Sequence, residues 1–151
     1  MTTTPSSPVL GPTSDVVKPS RIRTQAAAMV VILLAQLLLG MANTFWLRLP
    51  DSGSGWGTAA PAALFMAHLI LGTALLCNAV WIAIVAFRTR DRDWLTASTV
   101  GALGILLAFG AGSAFMSQTG NDVASYLMTI GTALAIAAYA LGLYRLPSSN
   151  T

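Results

Sequence analysis

The stretch "AAPAALFMAHLILGTALLCNAVWIAIVAF", residues 59–87, decides the fold. It holds no Asp, Glu, Lys or Arg, and a single histidine, His68. About 20 apolar residues in a helix cross the ~30 Å hydrocarbon layer of a membrane, so this run is long enough to span it with tilt. Pro61 falls in its first turn, where a missing N–H costs little. In hydrocarbon every backbone polar group must be satisfied within its own segment, which selects a helix.

Three further runs of the same kind flank it, at Thr24–Leu47, Trp94–Ser117 and Asp122–Tyr144. The whole chain of 151 residues is 55% hydrophobic and 9% charged. A soluble domain of this size carries about 25% charged residues, so lipid must solvate much of this surface. The reading is an all-α polytopic membrane protein, an up-and-down four-helix transmembrane bundle. Residues 1–23 read as a disordered cytoplasmic tail, 24–145 as the transmembrane domain and 146–151 as a short cytoplasmic tail. The spans fall at about 24–47, 59–87, 94–117 and 122–144. Short connections at 88–93 and 118–121 place the second helix beside the third and the third beside the fourth. "LLGMAN" around Gly40 and Ala42 has small residues suited to a signal-peptidase site. The apolar run continues through Phe45, Trp46 and Leu47, and the expectation is a retained span.

Basic residues set the orientation. Lys18, Arg21, Arg23, Arg88, Arg90, Arg92 and Arg145 fall on one side of the four spans, and only Arg48 on the other. Both termini and the 88–93 loop are therefore expected in the cytoplasm, in a multi-pass protein of the plasma membrane. Trp46, Trp56 and Tyr144 lie near span ends, where amphipathic aromatics favour the interface. The net charge of +3 is spread rather than gathered on one face, which excludes nucleic acid as a partner. The one cysteine, Cys77, forms no internal disulfide, and no Cys/His spacing points to a metal.

Helical spacing gathers small residues on single faces. These are Gly72, Ala79, Ala83 and Ala86 with His68, then Gly101, Gly104, Ala108 and Gly112, then Gly131, Ala135, Ala138 and Gly142. Polar residues form other stripes. Gln36, Gly40 and Asn43 share one, while Asp122, Ser125, Thr129 and Thr132 share another that ends near Tyr139. Asn43, His68, Ser113, Ser117, Asp122 and Ser125 all fall in the outer halves of their spans, which suggests one polar layer beneath the outer surface. His68 is then expected to bond Asn43, Ser117, Asp122 or Ser125. The hydroxyls have a plainer option, since Ser and Thr in helices bond their own i−4 carbonyls.

The order "GMANTFWLRLP", "AHLILG", "GAGSAF", "ASYLM" resembles that of uncharacterised small four-helix integral membrane proteins of actinobacteria, over about residues 33–144. The resemblance implies that Asn43, Pro50, His68, Gly72, Ser125 and Met128 occupy recurrent positions, and it implies no activity. A histidine followed four residues later by glycine also resembles the haem-ligand helices of b-type cytochromes and haem A synthase. That likeness implies haem at His68, with Met116 or Met128 as second ligand in the absence of another histidine. Copper would need thioethers beside the imidazole. Met66 lies about 200° round the helix from His68, and Met41 likewise from Asn43, so neither joins the site. Ser113, His68 and Asp122 are the residue types of a hydrolase, but four helices scarcely enclose a wet active site.

The functional expectation is a non-enzymatic subunit or assembly factor of a membrane complex, with no cofactor. Its partners are the lipid bilayer and either another membrane protein or further copies of itself. The alternatives are a redox protein binding haem or quinone at His68, and a small transporter formed by a homo-oligomer.

Overall fold

In the computed structural model the described residues are 19–46, 59–89, 91–117 and 122–145. They form four helices: α1 (Pro19–Trp46), α2 (Ala59–Thr89), α3 (Arg92–Ser117) and α4 (Asp122–Arg145). Each is long and apolar enough to cross a membrane, and no strand occurs among the described residues. Every helix packs on its neighbours in sequence, and α1 closes the ring against α4, while among the described residues no backbones approach closely across the diagonals. That is the expected up-and-down bundle. The segments 1–18, 47–58, 118–121 and 146–151 and residue 90, with Lys18, Arg48, Pro50, Trp56 and Arg90, lie outside the described residues.

The helix ends differ from those read in the sequence chiefly at the start of α1 and on either side of residue 90. α1 begins at Pro19, inside the segment read as tail. Proline suits a first helical position, and Arg21 and Arg23 follow in the opening turns. Within the connection read as 88–93, α2 continues to Thr89 and α3 already begins at Arg92. Asp91 is the cause. Its Oδ1 accepts from the backbone N–H of Asp93 and of Trp94, both at 3.1 Å, so the aspartate caps α3 and starts it early. On the same rim Arg145 and Asp93 approach to 4.0 Å, both well exposed, a pair of little energetic weight.

The exterior is apolar, as lipid demands. Val31, Leu38, Ile70, Trp81 and Phe87 are between 61% and 68% exposed. The interior is uneven. The half of the bundle nearest Arg21, Arg88, Arg92 and Arg145, here the basic end, holds most of the core. Ile22, Ala26, Met29 and Leu33 of α1 meet Leu75, Ala79, Ile82 and Ala86 of α2, with Trp94, Ile105, Ala135 and Tyr139 from α3 and α4. In the opposite half, the far end, no residue from 34 to 43 of α1 or from 63 to 74 of α2 is fully buried.

α3 and α4 form the tightest pair, and glycine is the reason. A Cβ on Gly104 would stand 2.7 Å from the carbonyl oxygen of Gly131, and one on Gly131 would stand 2.6 Å from that of Gly104. The backbones touch there, as small residues allow in a membrane. Nearer the basic end the Tyr139 ring lies on Gly101, where a Cβ would come within 2.5 Å of it. Gly142 likewise receives Ala97, and Trp94 stands tilted against Tyr139 with ring centroids 6.5 Å apart.

Candidate functional site

His68 lies on the same face of α2 as Leu75, Ala79 and Ala86, which are buried, so helical geometry turns its ring inward. Gln36, Gly40 and Asn43 continue the α1 face that carries Met29 and Leu33. The core faces of both helices therefore change from apolar at the basic end to polar at the far end.

The two polar faces interlock. α1 carries Gln36 with Gly40 one turn on, and α2 carries His68 with Gly72 one turn on. Because the helices run antiparallel, each long polar side chain meets the other helix's glycine. A Cβ on Gly40 would stand 3.1 Å from His68 Cε1, and a Cβ on Gly72 would stand 3.0 Å from Gln36 Nε2. Gln36 Nε2 donates to the His68 carbonyl oxygen at 2.9 Å and lies 3.3 Å from His68 Nε2. The carbonyl can only accept, which fixes the amide with its nitrogen toward α2. That nitrogen can only donate, so His68 Nε2 accepts and the neutral ring carries its proton on Nδ1.

Three polar atoms in this seam are buried without a hydrogen-bond partner: His68 Nδ1, Gln36 Oε1 and Asn43 Oδ1. Asn43 adds only a long bond, from Nδ2 to the Leu64 carbonyl at 3.5 Å. A fourth such atom, the Tyr139 hydroxyl, belongs to the core at the basic end.

The structure thus brings together His68, Gln36, Gly40 and Gly72, with Asn43 a turn further along. The other candidates lie apart from the seam's hydrogen bonds. Ser113 donates to the Phe109 carbonyl and Ser117 to the Ala114 carbonyl, both exposed and both satisfied within α3. Asp122 is exposed at the start of α4, and Ser125 is half-buried. Gln36, placed on a polar stripe by the sequence, is the partner of His68 that the sequence reading did not name. The signal was present: a polar residue and a glycine four apart, repeated on two antiparallel helices.

The residues do not fit a haem. His68 Nε2 faces Gln36, and the ring rests on Gly40. Met116 is 46% exposed, and the Met128 sulfur lies against Gly112, 3.4 Å from where its Cβ would stand. Among the described residues no three His, Cys, Asp or Glu side chains gather as metal ligands do. Away from the seam, an open groove of about 140 Å³ runs between α2 and α3, lined by Leu76, Val80, Ala83, Phe87, Ala102 and Leu106, among others. Thr99 is its only hydroxyl, so it offers packing rather than chemistry. No family model, curated protein or solved structure matches the chain.

Proposed function

We propose that the chain is a non-enzymatic subunit of a plasma-membrane complex that works by helix–helix contact, and that its first partner is a second copy of itself. The observation that carries this reading is the outward face of α2. Ala67, Ile70, Ala74, Cys77, Trp81 and Ile84 recur at alternating steps of three and four, and all are exposed. That is the spacing of a helix-pairing seam, with small residues at Ala67 and Ala74 where a neighbour would approach.

Asn78 borders this stripe near the middle of the span and is exposed. Its Nδ2 donates to the Met29 sulfur at 3.0 Å, a weak acceptor. An amide at that depth has capacity left for a stronger bond, and an amide is complementary to another amide. A two-fold axis beside α2 would set Asn78 against its own copy.

Cys77, the chain's only cysteine, lies on the stripe and reports on it. Copper phenanthroline, an oxidant that partitions into lipid, should join two copies through a Cys77–Cys77 disulfide in vesicles. Asn78→Leu and Ala74→Trp should each cut the linked fraction severalfold. A wild type that stays unlinked, or a dimer indifferent to both changes, removes the self-association. Linkage of Cys77 to a foreign chain with no dimer formed would reject the second copy as partner.

In this reading both ends of the chain are cytoplasmic, supported by the excess of Lys and Arg on that side. Reporters fused at either terminus or within 88–93 should read cytoplasmic, and one within 48–58 external. A terminus reporting outside would overturn the orientation.

A further inference from the structure

We infer that the far-end seam between α1 and α2 is a binding site for a neutral hydroxyl-bearing lipid. The inference does not depend on self-association.

The seam holds one buried donor, the Nδ1–H of His68, and two buried acceptors, Oε1 of Gln36 and Oδ1 of Asn43, all without partners. A polar atom buried without a partner is costly, and in hydrocarbon no bulk water relieves it. A hydroxyl accepts one hydrogen bond and donates another, so one such group can take the Nδ1–H and satisfy an amide oxygen. A ketone or ester carbonyl accepts only, and would leave both amide oxygens as they are.

Charge and position narrow the class. α1 beyond Arg23 and α2 before Arg88 carry no Asp, Glu, Lys or Arg, and His68 is their only histidine. Among the described residues Asp122, exposed at the start of α4, is the only carboxylate at the far end, and no Lys or Arg stands there. Among the described side chains of the seam itself a charged headgroup would find no counter-ion, which favours a neutral ligand. It is an amphiphile because the seam lies within the span and its flanks are lipid-facing: Leu38, Met41, Met66 and Leu69 beside it are exposed.

The three atoms are occluded while the seam is closed, so the head enters as α1 and α2 part. Little opposes that movement at this end. The contacts to be broken include the Gln36 bond to the His68 carbonyl, its 3.3 Å approach to Nε2 and the 3.5 Å Asn43 bond. No residue of 34–43 or 63–74 is fully buried.

The single histidine makes the test direct. The full chain is labelled with ¹⁵N-histidine in detergent, where one imidazole gives both ring signals. Without ligand the proton should sit on Nδ1. Decylubiquinol and dioleoylglycerol are then added separately. Each has a counterpart without a hydroxyl, decylubiquinone and trioleoylglycerol. The hydroxyl compound that binds should move the Nδ1–H signal and raise the melting temperature by roughly 5–10 °C at a hundredfold excess over Kd. Its counterpart should do neither. A response to the quinol alone assigns a quinol, one to the glyceride alone assigns a glyceride, and one to both supports the shared hydroxyl chemistry. Asn43→Leu, which spares the Gln36–His68 contact, should weaken binding about tenfold. Ser113→Ala, whose hydroxyl is satisfied within α3, should bind as wild type. Silence with both compounds, equal response to the counterparts, or a proton on Nε2 overturns the inference.

Discussion

Gly104→Leu should cost the bundle about 3 kcal/mol or more, the upper end of what overpacking does. The obstacle is backbone. The first added carbon would stand 2.7 Å from the Gly131 carbonyl oxygen and 2.9 Å from the Ala135 nitrogen. Neither atom can turn aside as a side-chain tip would, so α3 and α4 must separate. Melting in mild detergent should fall by roughly 5–10 °C, and Gly131→Leu should behave alike, since it meets Gly104 O and Ala108 N. Gly110 supplies the control. It lies on the same helix with nothing within 4 Å of an added Cβ. Gly110→Leu should melt within about 2 °C of wild type, because only propensity and lipid contact change. Equal losses at Gly104 and Gly110 would show that glycine matters for helix flexibility and not for the contact.

The second large effect is expected at the seam. Gly40→Leu should push the His68 ring out of its place on α1 and cost about 1–3 kcal/mol. The informative measurement is the double variant. With His68→Ala the ring is gone and the leucine gains its space, so the two losses should fall short of their sum by about 0.5–3 kcal/mol. Gly72→Leu with Gln36→Ala should show the same coupling from the other helix. Additive losses in both pairs would mean that the polar side chains do not sit over the glycines. The amide of Gln36 also bonds the His68 backbone carbonyl, which every substitution at 68 retains. His68→Leu alone should therefore disturb the seam less than Gln36→Leu does.

The spans were legible because length and hydropathy alone decide them, and the glycine faces because their period is that of the helix. Gly101, Gly104, Gly131 and Gly142 are all buried where the spacing placed them. What spacing cannot supply is register between helices. α1 and α2 are joined through 47–58, long enough to let one slide along the other, so His68 could have met Asn43 or Gln36 with equal ease. Packing of each glycine against a polar residue selects Gln36. The hydroxyls misled for another reason. Ser113 and Ser117 are satisfied within α3, so their position carries no information about the neighbouring helix. The early start of α3 was visible in Asp91, a strong capping residue two positions before Asp93, but the cluster "RTRDRD" read first as a charged loop.

The contrast between the glycine contact of α3 with α4 and the polar contact of α1 with α2 bears on how the chain is made. α1 and α2 leave the ribosome before α3 and α4, and in the bilayer each is stable as a lone helix before association begins. Their mutual contact is the weaker one, and much of their buried surface is completed by Trp94, Ile105, Ala135 and Tyr139, which arrive later. The two later helices of the four are thus the first able to form a durable pair. The earlier two wait as a loose hairpin until that pair offers a wall to close against. During this interval the buried amides and the imidazole of the first hairpin face lipid without the rest of the bundle.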